Sequence, residues 1–157
     1  MSFAGLDLQS SFKTNILMMP FPIMVDKALK ILLVDDSEFI LQRIKHLLEG
    51  IKNVQEIRTA TSVEEAENWI NTFNPSLIFL DINLPGKNGL QMLKDIRSSN
   101  TIDPIIVILT NNTLSGYKSE CMQAGADYFL DKAKDFALIP DIIRQTAEKI
   151  ASDTRFN

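Results

Sequence analysis

From residue 28 onward, five short apolar runs alternate with amphipathic stretches. Leu29–Val34 is almost continuously apolar, the pattern of a strand buried on both faces. After it, Ile40, Ile44, Leu47 and Leu48 recur at helical spacing, and Gly50 closes that helix. Val54–Thr59 reads as a second, weaker strand. Ser62 opens Ser-Val-Glu-Glu, a capping box with Glu65 three residues on. The helix it starts is expected to bury Val63, Ala66, Ile70 and Phe73, and Asn74-Pro75 breaks it. Leu77–Leu80 is a third strand. A turn-rich loop over 83–89 leads to a helix marked by Leu90, Leu93 and Ile96. Ile105–Leu109 is the fourth strand, and a helix around Gly116–Ala124 stops at Gly125. Tyr128–Leu130 is a short fifth strand. The last helix, about Phe136–Ala151, carries Phe136, Ile139, Ile142, Ile143 and Ile150, with Pro140 in its first turn.

Strands alternating with helices predict an α/β fold, a parallel sheet covered on both faces. Crossovers in such sheets are right-handed. A ligand site is then expected at the carboxyl ends of the strands. That expectation makes the polar positions informative. Asp35, Asp36, Asp81, Thr110 and Lys132 all fall at or just beyond predicted strand ends. Each alone has an ordinary reading. Aspartates after strands form turns, and Asp36 or Ser37 is available to cap the first helix. Thr110 reads as a β-branched strand end and Lys132 as a solvated loop residue. Four strands delivering such groups to one edge point instead to a joint function. Crowded carboxylates resist ionising, and a hard divalent cation relieves them. Mg²⁺ suits this set because it keeps waters and takes phosphate oxygens readily. A carboxylate beside it can attack a phosphoryl group, while an ammonium and a hydroxyl stabilise the phosphoryl oxygens.

Composition narrows the field. The net charge is −4, so the basic footprint of a nucleic-acid binder is missing and no direct nucleic-acid contact is expected. A single cysteine, Cys121, rules out an internal disulfide and fits a reducing compartment. The apolar run over 16–25 is interrupted by two prolines and falls short of a membrane span. No export signal is read, and a cytoplasmic location is expected. Residues 1–27 are taken as an extension of unknown role, with Met24 a candidate translation start. Residues 28–152 form the domain and 153–157 a tail.

The motifs Leu-Leu-Val-Asp-Asp-Ser (32–37), Leu-Ile-Phe-Leu-Asp-Ile-Asn-Leu-Pro-Gly-Lys-Asn-Gly (77–89), Val-Ile-Leu-Thr (107–110) and Ala-Gly-Ala-Asp-Tyr-Phe-Leu-Asp-Lys (124–132) resemble the receiver domains of two-component response regulators. The resemblance covers about residues 28–152. It implies a flavodoxin-like, doubly wound (β/α)5 fold with strand order 2-1-3-4-5. It also implies that Asp81 is the phosphoacceptor. Asp36 and Asp81 would hold Mg²⁺ with the backbone carbonyl of Asn83, and Asp35 would act through a metal-bound water. Lys132 would pair with the phosphoryl group, Thr110 would move to bond it, and Phe129 would turn inward as an aromatic switch. A core aromatic is the plain alternative for Phe129. The implied partners are a histidine kinase or phosphotransfer protein and a downstream protein target, with a homodimer through the last helices as a family expectation.

Two positions depart from the family pattern. Ala133 stands where a proline usually follows the lysine, so the Lys132–Ala133 bond is expected to be trans and the loop looser. Asn111 is larger than the usual residue after the threonine, and Asn111 and Asn112 are expected to alter phosphorylation or hydrolysis rates. His46 is expected to face solvent, Cys121 to pack in its helix, Trp69 to be partly buried, and Tyr117 and Lys118 to lie on a solvated face. Gly86 and Gly89 form no phosphate loop, as no Gly-Lys-Ser/Thr follows a strand. The expected function is a stand-alone switch that catalyses only its own phosphorylation and dephosphorylation. The rivals are an aspartyl-phosphate hydrolase, which favours Asp-x-Asp after its first strand, and a scaffold that works without phosphorylation.

Overall fold

The computed structural model describes residues 28–153, so the expectations for residues 1–27 and for most of the tail fall outside the described residues. Five strands, β1 (Leu29–Val34), β2 (Val54–Ala60), β3 (Leu77–Leu80), β4 (Ile105–Thr110) and β5 (Tyr128–Asp131), form one sheet in the order 2-1-3-4-5. Every pairing is parallel. The helices are α1 (Glu38–Leu48), α2 (Val63–Phe73), α3 (Gly89–Ser99), α4 (Ser115–Gln123) and α5 (Ile139–Asp153).

The apolar strands separate two cores. Leu32, Val34, Ile78, Leu80, Ile106 and Ile108 face the side covered by α2 and α3. Leu29, Ile31, Leu33, Leu77, Phe79, Val107 and Leu109 face the side covered by α1 and α5. Side chains alternate along a strand, so a sheet buried on both faces must be apolar at successive positions. That explains the unbroken runs in β1, β3 and β4.

Helix ends follow the local chemistry. The Ser62 hydroxyl accepts from Glu65 N–H (3.2 Å), and Glu65 reaches back to Thr61 N–H (2.8 Å). Asn74 ends α2 in the left-handed region at φ 52° just before Pro75. Some details differ from the sequence reading. The α1 stripe is centred on Leu41, Ile44 and Leu48, with Ile40 and Leu47 only half-buried. Ile70 is likewise half-buried. The last helix is entered through a 3-10 turn, Phe136–Leu138, before α5 begins at Ile139. Pro140, lacking an N–H, then sits in the first turn, where no intrahelical donor is required.

β2 lies at an edge of the sheet. The Ala60 carbonyl points inward and accepts from Asp35 N–H (3.1 Å). Carbonyls alternate in direction along a strand, so that of Thr59 points to the open edge. Trp69 on α2 covers it, its indole N–H donating to Thr59 O (3.1 Å). The Arg58 guanidinium lies 4.9 Å from the Trp69 ring centre, and Phe73 packs edge-on against that ring. Replacing Trp69 by Phe keeps most of the apolar area but removes the donor. The Trp69→Phe variant is expected to lose about 1 kcal/mol of stability, read as a lower urea midpoint at unchanged slope.

Candidate functional site

The charged and polar groups at the sheet's carboxyl edge are placed by backbone ladders that run one step past the strand ends. Asp35 N–H donates to Ala60 O (3.1 Å), Asp81 N–H to Val34 O (2.9 Å) and Lys132 N–H to Thr110 O (3.0 Å). Asp35, Asp81 and Lys132 are therefore each anchored to the neighbouring strand. Among the described residues, only five polar or charged ones are buried, and four of them are Asp35, Asp81, Thr110 and Lys132. Charged groups rarely bury without a partner. Here the partner is mutual. The Lys132 ammonium contacts Asp35 Oδ2 and lies 2.6 Å from Asp81 Oδ2. Lys132 is thus no solvated loop residue.

The free carboxylate oxygens are used as well. Asp35 Oδ1 accepts from Ser37 N–H (2.8 Å) and Asp81 Oδ1 from Asn83 N–H (3.0 Å). Ser37, not Asp36, caps α1, its hydroxyl accepting from Ile40 N–H (3.4 Å). Asp36 is left exposed. Carboxylate oxygens of Asp35, Asp36 and Asp81 lie within 4.8 Å of one another. An all-oxygen, acidic donor set with one open member fits Mg²⁺, which takes few protein ligands and keeps its waters. The Thr110 hydroxyl accepts from Asn83 Nδ2 (3.3 Å) and from Asn112 N–H (3.2 Å). Asn111 is exposed, and Phe129 is half-buried against the core that includes Cys121 and Ile108.

Burial pushes the Asp35 carboxyl above its ordinary range, more than the hydrogen bonds from Lys132 and Ser37 pull it down. Burial also lowers Lys132, but its hydrogen bonds to Asp35 and Asp81 outweigh that and hold it above the usual lysine value. The cluster carries three carboxylates for one ammonium, so additional positive charge is favoured there.

Two structural supports were not legible as functional signals. Gly89 begins α3, and a Cβ added to it would lie 2.4 Å from the Asp81 carbonyl oxygen and 2.7 Å from Ile82 Cα. Its role is close backbone approach beneath the acidic cluster, not phosphate binding. The second concerns Ala133. All peptide bonds among the described residues are trans, as expected at Lys132–Ala133. The loop is nonetheless closely tied. Ala133 N–H, a donor that proline lacks, bonds Asp131 Oδ1 (2.7 Å), and Asp131 N–H bonds Asp135 Oδ2 (2.8 Å). Lys134 and Asp135 N–H both donate to Asp131 O. The expected looseness is replaced by an aspartate-built turn.

Gly89→Ala must displace backbone rather than a flexible side chain. It is expected to cost about 1–3 kcal/mol in chemical denaturation, as overpacking does. Lys132→Met would leave Asp35 and Asp81 face to face. A loss of about 3 kcal/mol is expected at pH 7, the cost of breaking a buried pair. A carboxyl raised in the fold keeps its proton better than in the unfolded chain. Its contribution is present below the ordinary carboxyl value and is lost as pH rises through the folded one. The deficit of Lys132→Met is therefore expected to shrink from pH 7 to pH 5, as a proton replaces the ammonium. Denaturation curves of both proteins across that range test the sign.

The family described as response regulator receiver domain matches residues 31–144. The chain is 35% identical over 104 residues to the response regulator UvrY of Escherichia coli (strain K12), covering 66% of this chain and 47% of that protein. It is 31% identical over 135 residues to a protein-glutamate methylesterase/protein-glutamine glutaminase of Clostridium acetobutylicum, covering 82% of this chain and 39% of that one. The chain thus spans about half, or less, of the length of these curated relatives. The receiver domain of the Francisella response regulator 1452 superposes with a TM-score of 0.71 at 27% identity, covering 78% of this chain and 98% of that one. The phosphorylated cyanobacterial phytochrome response regulator RcpA shares the fold at a TM-score of 0.66 and 24% identity, covering 77% and 92%. Strand order, acidic cluster and buried lysine agree with these matches: the chain belongs to the response regulator receiver domains of two-component systems.

Proposed function

We propose that Asp81 accepts a phosphoryl group from a histidine kinase or histidine phosphotransfer protein, and that the modified domain signals to a protein partner. The observation that carries this reading is the Lys132 ammonium held 2.6 Å from a buried Asp81 carboxylate, within a three-aspartate cluster. A carboxylate oxygen of Asp81 attacks phosphorus, the bond from phosphorus to the donor nitrogen breaks, and its electron pair stays with the donor. Lys132 then exchanges a carboxylate oxygen for a phosphoryl oxygen, keeping its charge compensated. Thr110, fully buried beside the site, still has its hydroxyl proton to give to another phosphoryl oxygen. Asp36, Asp81 and the Asn83 carbonyl would hold Mg²⁺, with Asp35 acting through a bound water. The ion would supply charge for the transferring group.

Phe129 supports the signalling half of the reading. It is half-buried between Ile108 and the thinly packed α4, whose only buried residue is Cys121. A helix with so little anchoring is inexpensive to shift, so movement of Thr110 and Phe129 would alter the surface around α4 and α5. A hydrolase reading lacks support, since the acid such enzymes need two residues after the nucleophile is here Asn83.

Incubation with a small phosphodonor and Mg²⁺ is expected to add one phosphoryl group, seen by intact-protein mass spectrometry. Asp81→Asn should take up none, and Asp36→Ala should label more slowly at limiting Mg²⁺. Labelling that persists in Asp81→Asn would sink the assignment.

A further inference from the structure

The proline that usually follows the lysine is missing here, and a different device stands in its place. Asp131 is the last residue of β5, paired with Thr110 of β4. Along a strand, the backbone groups of successive residues point to opposite sides. Lys132 N–H points inward to Thr110 O (3.0 Å), so the N–H and C=O of Asp131 point to the open edge of the sheet. Both are met from within the loop. Asp135 Oδ2 accepts from Asp131 N–H (2.8 Å), and Asp131 O accepts from the N–H groups of Lys134 (3.2 Å) and Asp135 (2.9 Å). The Asp131 side chain closes the ring, its Oδ1 accepting from Ala133 N–H (2.7 Å). Just beyond, Phe136 is buried in the core on the α1 side, with the Arg43 guanidinium 4.0 Å from its ring centre. Lys132 is thus enclosed by a turn that is fastened at both ends.

We infer that Asp131 is a positioning residue, its carboxylate setting the direction in which Lys132 leaves the backbone and so keeping the ammonium at Asp81. This rests on the phosphoacceptor reading and deepens it. A lysine carries its charge on a flexible stem. The ion pairs with Asp35 and Asp81 steady that stem only while both carboxylates are in place. During transfer the ammonium exchanges a carboxylate oxygen for a phosphoryl oxygen, and at that moment the backbone alone fixes where it stays. The bond from Ala133 N–H to the Asp131 carboxylate is charge-assisted, and such bonds are among the stronger ones. Proline at position 133 would remove the donor and leave Asp131 Oδ1 without that partner. The residue usual in the family at this position is accordingly the wrong one for this loop, because the turn is built on an N–H that proline lacks.

The test compares the wild-type protein with Asp131→Ala, Asp131→Asn, Ala133→Pro and Ala133→Gly. Asp131→Ala and Ala133→Pro break the bond from its acceptor and its donor side, whereas asparagine keeps a side-chain oxygen and glycine keeps the N–H. Two quantities are read: the initial rate of modification by phosphoramidate at saturating Mg²⁺, and the acetylation of Lys132 by acetic anhydride in unmodified protein, located by peptide mass spectrometry. Lys30, half-buried near the start of β1 at the opposite end of the sheet, reports general opening. Asp131→Ala and Ala133→Pro are expected to lower the rate about tenfold, the scale of one charge-assisted hydrogen bond, and to speed acetylation at Lys132 but not at Lys30. Asp131→Asn and Ala133→Gly should stay within about twofold of the wild type in both quantities. An Ala133→Pro protein that behaves like the wild type would overturn the assignment. So would acetylation that rises at Lys30 and Lys132 together, which marks loss of the fold and not a misplaced ammonium. If Asp131→Ala fails to fold, Ala133→Pro breaks the same bond and decides. If the wild-type protein takes up no phosphoryl group, the phosphoacceptor reading fails instead, and the acetylation comparison still decides whether Asp131 places Lys132.

Discussion

The Lys132 ammonium, buried between Asp35 and Asp81, is the interaction on which the rest of the site depends. Two carboxylates at the end of a hydrophobic sheet repel each other and lose hydration, and neither alone would stay ionised there at low cost. One ammonium reaches both. It cannot neutralise both, and the residual negative charge is what a divalent cation meets. A fully compensated cluster would be a structural ion pair. An uncompensated one would tend to protonate. The observed arrangement holds two buried carboxylates against one ammonium and leaves the site receptive to added positive charge.

Such a balance needs accurate placement, and the sheet supplies it from outside the cluster. Backbone bonds fix residues 35, 81 and 132 to adjoining strands, so the acidic and basic groups cannot drift apart without breaking the ladder. Short turns finish the work. Asp35, Asp81 and Asp131 each accept a backbone N–H from two residues on, turning the chain sharply at three strand ends. Two of these aspartates belong to the charged cluster itself, so the same carboxylates shape the loops and form the ion pairs with Lys132.

Much of this was legible in the sequence. Apolar runs marked β1, β3 and β4 most clearly, because strands buried on both faces leave few polar positions to confuse the pattern, whereas the edge strand β2 carries Gln55, Glu56 and Arg58 and gave a weaker signal. Strand-end positions picked out Asp35, Asp36, Asp81, Thr110 and Lys132, because a parallel sheet collects its ends on one edge. What escaped was set by three-dimensional proximity. Nothing in the local pattern distinguishes Gly89 from a turn glycine, since the atoms that exclude a Cβ belong to Asp81 and Ile82. Whether Asp36 or Ser37 caps the first helix was open for a similar reason. The Ser37 hydroxyl takes the cap, accepting from Ile40 N–H, and Asp36 is left exposed. The loop after Lys132 invited an expectation of slackness from a missing proline, whereas Asp131 and Asp135 restrain it through side chains.

The tryptophan over the outer strand has a consequence for assembly. Strand-by-strand growth of a parallel sheet into a filament needs two usable edges, one to give and one to receive. Here Trp69 occupies a carbonyl on the β2 side, with Arg58 stacked across the ring. One outward carbonyl of the edge strand is thus satisfied within the molecule, which leaves one acceptor fewer for a strand added from outside.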